Sequence, residues 1–142
     1  MKAILLSIKP EWAEKIYNGE KTIEWRKSRP RIDRNNRHQR VYIYETAPVK
    51  RITGHFTLCG CHELDLGCKP TNAADAFISA DIQRRGRVPH EDLVRYQGKS
   101  RRIYGWSVDR LRCVVRYNVP YRLEDFGLKC PPQSWQYVED PI

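Results

Sequence analysis

Gly19-Glu20-Lys21-Thr22-Ile23-Glu24-Trp25-Arg26 is the stretch in which the residue period changes from helical to extended. Upstream, Ile4, Leu5, Leu6 and Ile8 form a short apolar run that reads as a strand. Pro10 stands where a first helical turn tolerates proline, because its missing N–H would have no partner there. The spacing predicts a helix over 10–18, in which Trp12 with Ile16 and Ala13 with Tyr17 form an apolar i,i+4 stripe and Glu11 faces Lys15. Gly19 supplies a left-handed residue to end it. From Lys21 the period is two, which puts Lys21, Ile23 and Trp25 on one face and Thr22, Glu24 and Arg26 on the other. Spacing alone leaves two readings of Glu24 and Arg26 open: a solvated ion pair worth ~0.2–1 kcal/mol, or part of a binding site.

Beyond the octet, residues 41–45 alternate aromatic and aliphatic and read as a strand ended by Pro48. Residues 52–64 read as a long strand with Gly54 and Gly60 as bulges or points of close approach. Ala74, Phe77, Ile78 and Ile82 predict a helix over 71–84, and Pro89 to Gln97 a shorter one closed by Gly98. Ile103 to Val119 reads as a strand broken near Arg110. Strands outnumber helices and no βαβ rhythm is evident, so the expected class is α+β: a small mixed β-barrel with helices on its rim.

The 142 residues suit a single domain, 1–142, able to bury roughly two-thirds of its unfolded surface. No apolar run approaches the ~18 residues of a membrane span, and Met1 to Ser7 is too short an apolar stretch for a signal peptide. A cytoplasmic address is expected. Five cysteines, an odd count, suit a reducing compartment. Cys59, Cys61, His62 and Cys68 crowd together as zinc ligands would, but their C-x-C-H-x5-C spacing differs from a C-x2-C knuckle. Buried or half-buried free thiols are expected instead, and neither metal nor cofactor.

The net charge of +9 points to an acidic partner, of which nucleic acid is the commonest. Arg26 to Arg40 holds six arginines and Lys27 against the single acid Asp33, with Pro30, Asn35 and Asn36 marking a loop. Beside the octet such a loop reads either as a phosphate clamp or as a solvated surface. Arg84, Arg85 and Arg87, then Lys99, Arg101 and Arg102, form further basic groups. Tyr42 with Tyr44, and Tyr104 with Trp106, share strand faces; such rings are mostly core, although those beside a cleft can stack on bases.

The octet resembles the G-x-K-x-x-E-x-R signature of the ASCH domain, a branch of the PUA-like superfamily, at all four fixed positions. Leu6-Ser7-Ile8-Lys9-Pro10 is similar to that family's first strand, and Phe126-Gly127-Leu128-Lys129-Cys130-Pro131-Pro132-Gln133-Ser134-Trp135 to the closing segment of its phage-type members. The resemblance implies a PUA-like barrel with an RNA or modified-nucleotide pocket between the strands and the helix at 10–18. Its expected contacts are Ser7, Lys9, Lys21, Glu24 and Arg26, with Arg29 and Arg31 from the loop, Tyr44 and Tyr104 from strands, and Gln133, Ser134 and Trp135 from the closing segment. The partner is then RNA, single-stranded nucleic acid or a modified nucleoside. An ionised Glu24 with Arg26 as its counter-ion would accept from an exocyclic amino group, while Lys21 meets a phosphate or carbonyl oxygen.

Two enzymatic alternatives accompany the resemblance. Some ASCH proteins are similar to an amidohydrolase acting on N4-acetylcytidine, in which a lysine works with a threonine and a glutamate. Here Glu24 occupies the threonine's place three residues after Lys21, and Thr22 is expected to face away from Lys21. Ribonuclease activity, reported for some ASCH proteins, would use Glu24 as base with Lys21 and Arg26 stabilising the phosphorane. Arg26 opposes that role by lowering the basicity of Glu24. Lys21 and Glu24 are the catalytic candidates of either reading.

Overall fold

The computed structural model describes residues 2–31, 39–109 and 114–141. The first apolar run is strand β1 (Lys2–Ile8), followed by helix α1 (Pro10–Tyr17) and strand β2 (Ile23–Arg26). Gly19 has φ +84°, the left-handed backbone that turns the chain out of α1. Strands β3 (Gln39–Glu45) and β4 (Arg51–Leu64) precede helices α2 (Ala73–Gly86) and α3 (His90–Gln97). Strands β5 (Ile103–Val108), β6 (Val115–Tyr121) and β7 (Trp135–Glu139) complete the order.

The seven strands form one sheet in the order β2-β5-β4-β3-β1-β7, with β6 also pairing β4. Among the described residues only β1 and β3 pair in parallel, with α1 and β2 between them in the chain. Both faces of β1 are covered: Ile4, Leu6 and Ile8 pack towards Ala13 and Ile16 of α1, while Leu5 packs with Tyr42, Tyr44 and Val138 on the opposite side. That double burial is why β1 reads as a continuous apolar run. A third core joins Ile23 and Trp25 to Ile82 of α2, Leu93 of α3 and Ile103. There α2 comes so close that a Cβ on Gly86 would lie 2.1 Å from the Trp25 indole nitrogen. The Thr22 N–H also donates to the Arg85 carbonyl at 3.0 Å.

The expected barrel does not close. Among the described residues β2 pairs only β5 and β7 pairs only β1, so the curled sheet keeps a seam. Side chains bridge the seam in place of a backbone ladder: Arg26 Nη2 donates to the Ser7 carbonyl at 2.6 Å and Nη1 to Ser134 Oγ at 3.3 Å. Ser28 accepts from two indoles, its carbonyl from Trp106 at 3.1 Å and its hydroxyl from Trp135 at 2.8 Å.

The stretch from Ile103 to Val119, expected as a strand broken near Arg110, forms two strands, β5 on the far half of β4 and β6 on the near half; Arg110 itself lies outside the described residues. Gly54 is the point of close approach, since a Cβ there would lie 2.1 Å from the Val115 carbonyl. Gly60 faces open space at a register shift. On α2, only Ile82 of the expected apolar residues is buried; Phe77 is 74% and Ile78 53% exposed, because the helix touches the body mainly through its C-terminal turn. No helix among the described residues is long and apolar enough to cross a membrane.

Candidate functional site

A hollow of about 480 Å³ opens at the seam, walled by α1, β2, α3 and the segment before β7. Six of the expected contacts line it: Ser7, Lys9, Lys21, Glu24, Arg26 and Gln133. Lys21 is 1% and Glu24 6% exposed. Lys21 Nζ lies 3.8 Å from Glu24 Oε2, and Arg26 Nη2 lies 3.4 Å from Glu24 Oε1. Glu24 and Arg26 share a strand face as alternation requires, with Ile23 and Trp25 turned into the third core. Lys21 departs from the expected opposite face. β2 begins only at Ile23, so strand alternation does not reach back to Lys21, whose N–H is instead held by the Lys15 carbonyl at the end of α1.

The Lys21 ammonium donates to the Gly86 carbonyl and sits 5.1 Å from the Trp12 ring centroid. Burial pushes its pKa below the usual 10.5, and the neighbouring Glu24 carboxylate offsets only part of that shift. Glu24 Oε2 and Arg26 Nε are buried with no hydrogen-bond partner among the described residues. Leaving such a group without a hydrogen bond costs about 1–3 kcal/mol, and the Lys21 ammonium 3.8 Å away offsets part of that for Glu24 Oε2.

The remaining expected contacts lie elsewhere. Ser134 belongs to the seam, bonded to Arg26 and, through its carbonyl, to the Ser7 N–H. The Trp135 ring packs edgewise on Trp106 and Tyr137 and does not line the hollow. Arg29 lies 5.5 Å over the Tyr104 ring and pairs with Glu63 at 3.4 Å, a carboxylate it shares with Arg102. The Arg31 N–H donates to the Tyr137 hydroxyl. Tyr44 is 4% exposed, in the core on the other side of β3. Residues 32–38 of the arginine-rich loop lie outside the described residues. Thr22 is buried, and its hydroxyl accepts from Arg85 rather than entering the hollow.

The cysteine cluster is dispersed: Cys59 and Cys68 are exposed, contrary to the expectation of buried thiols, and Cys61 is half-buried. The register shift between Leu58 and Gly60 interrupts the alternation that would align Cys59 with Cys61, and the Cys68 thiol donates to Asp65. Among the described residues no group of three His, Cys, Asp or Glu side chains converges as metal ligands would.

The sequence places Trp12 in the apolar stripe of α1 and predicts α3 as a helix, but gives neither a part in the site. Both supply walls of the hollow: Trp12 from the first helix, and Asp92, Leu93 and Tyr96 from the second. The i,i+3 spacing of Leu93 and Tyr96 carried that signal, but only the docking of α3 on Trp25 and Ile103 says where the face points.

The described residues form an α+β domain whose sheet does not close into a barrel. Residues 6–113 match the ASCH domain, and the chain belongs to that family. The fold is shared with a crystal structure of ASCH from Zymomonas mobilis at 22% identity and a TM-score of 0.75, covering 96% of this chain and 87% of that one. A serine-to-alanine variant of that protein matches at 21% identity and 0.75, over 98% and 89% of the two chains. A tyrosine-to-phenylalanine variant matches at 21% and 0.77, over 99% and 93%. No curated protein matches the chain.

Proposed function

We propose that the hollow binds RNA or a modified nucleotide, with Lys21, Glu24 and Arg26 as its polar centre. The observation that carries this reading is the buried trio itself: Lys21 and Arg26 both paired with the Glu24 carboxylate, in a concave site that all three line. A cavity of this size and mixed lining suits a small planar ligand. Membership of a family linked to RNA binding, and the net charge of +9, support an anionic partner. In this reading Glu24 accepts from an exocyclic amino group, Lys21 meets a phosphate or carbonyl oxygen, and Arg26, two residues along the same strand, holds Glu24 in place.

One observation favours a hydrolytic reading. Glu24 stands between Lys21 and Arg26, the arrangement of a carboxylate base with two cations that stabilise developing charge on a phosphorane. A ribonuclease is the form this supports best, because the Thr22 hydroxyl that an amidohydrolase would need is engaged by Arg85. Incubation with a labelled single-stranded RNA, its 2′-deoxy copy and N4-acetylcytidine separates these readings. Binding without turnover is the expected result; cuts confined to the ribose strand would replace it with the nuclease, and release of acetate with the amidohydrolase. Absence of binding to all three would remove the proposal.

A further inference from the structure

We infer that Trp12 of α1 and Tyr96 of α3 are the base-stacking surfaces of the hollow, and that its ligand presents a single unpaired base to them. The inference rests on the nucleotide-binding reading above and names which residues hold the base. Both rings line the hollow, and neither belongs to the signature octet. Tyr96 is 37% exposed and Trp12 partly so, whereas Trp106 is fully buried. Among the described residues, Trp106, Trp135, Tyr137, Tyr42, Tyr117 and Tyr121 all pack ring against ring. Trp12 and Tyr96 make no such pair.

Each has lysine against it: Lys21 Nζ 5.1 Å and Lys15 Nζ 5.8 Å from the Trp12 centroid, and Lys27 Nζ 5.2 Å from that of Tyr96. An aromatic ring with a lysine against it offers stacking and positive charge in one place, which is the pairing that base and phosphate require of a single-strand site. Lys27 is exposed beside Tyr96, so the phosphate it would meet flanks the base rather than entering with it. A base paired and stacked in a duplex has no face free for either ring, which restricts the ligand to an unpaired nucleotide.

The test uses the whole chain and two labelled pentanucleotide-length strands, one of ordinary RNA and one a sugar-phosphate strand without bases, followed by fluorescence polarisation. Trp12→Leu and Tyr96→Leu keep apolar bulk but remove the π face, and Trp12→Phe and Tyr96→Phe restore it. Each leucine variant is expected to bind the RNA at least about fivefold more weakly, to bind the baseless strand as the parent does, and to regain most of the loss in its phenylalanine counterpart. A role confined to packing would weaken both strands alike and would overturn the inference. Leucine variants that match the parent on RNA while Lys21→Ala binds weakly would overturn the stacking and leave the hollow's role standing. If Lys21→Ala also matched the parent, both would fall.

Discussion

The Arg26 guanidinium donates to the Ser7 carbonyl oxygen at 2.6 Å, tying the edge strand β2 to β1 across the seam of the sheet. The same group reaches Ser134 Oγ and the Glu24 carboxylate, so the contacts that bridge the open sheet also orient the acid at the centre of the hollow. Fold and site are coupled through this side chain.

Arg26→Met therefore removes a charge-assisted hydrogen bond to the Ser7 carbonyl, and is expected to lower stability by about 1.5–3 kcal/mol in urea unfolding. Arg26→Lys should recover only part of this, because a single ammonium cannot reproduce the fork that spans Ser7, Ser134 and Glu24. An unchanged unfolding midpoint for Arg26→Met would mean that the Trp135 indole bond to Ser28 holds the seam unaided.

Burial lowers the Lys21 pKa, so its positive charge is lost at a pH where exposed lysines keep theirs. Affinity for a single-stranded RNA is expected to fall as pH rises, beginning below 10.5, and Lys21→Met should bind more weakly throughout and lack that step. For stability the sign is opposite: the unfolded chain binds this proton more tightly, so the group's contribution rises with pH between its folded pKa and 10.5. A parental binding curve flat up to 10.5 would contradict the placement of Lys21 charge at the ligand.

Half-buried His55 and buried Tyr42, on the far side of the sheet, make stability depend on pH at its two ends. His55, bonded through Nδ1 to the Tyr117 hydroxyl, has a pKa pushed below 6.5 by burial. Its contribution is complete above 6.5 and is lost as pH falls through the lower folded value, because the unfolded chain takes up the proton first. Tyr42 is pushed up to about 12 by burial and its bond to Asp140, so its contribution is complete below 10 and lost between there and about 12. Thermal melting across pH should show both declines, and His55→Phe should flatten the acid one.

Two glycines of β4 separate close approach from mere irregularity. Gly54→Ala would press a Cβ onto the Val115 backbone carbonyl, which cannot rotate away, and is expected to cost about 1–3 kcal/mol. Gly60→Ala meets nothing within 4 Å and should stay within about 0.5 kcal/mol of the parent. Equal melting temperatures for the two variants would contradict the β4–β6 contact.

Much of this architecture was legible in the chain because it is set by short-range period. Helix α1, its Gly19 terminator and the pairing of Glu24 with Arg26 follow from residues within a turn or two of one another. What was not legible depends on how distant segments meet. No local pattern says that the sheet stops short of closure, or that Arg26 finds Ser134 in the closing segment. Trp12 was visible as part of an apolar stripe, yet whether that stripe faces core or hollow is decided by α3. Trp135, a reasonable stacking surface by its neighbours in sequence, is taken up by Trp106 and Tyr137. Phe77 and Ile78 have helical spacing, but spacing does not guarantee a partner surface.

The central claim is that Glu24 reads a base while Lys21 holds it without regard to type. Its most direct test is the affinity of the parent, Glu24→Gln and Lys21→Ala for a set of single-stranded homopolymers that differ only in base. Lys21→Ala is expected to weaken all of them by roughly tenfold or more, and Glu24→Gln to weaken one amino-bearing base selectively. A Glu24→Gln protein with unchanged affinity and unchanged base preference would contradict the account.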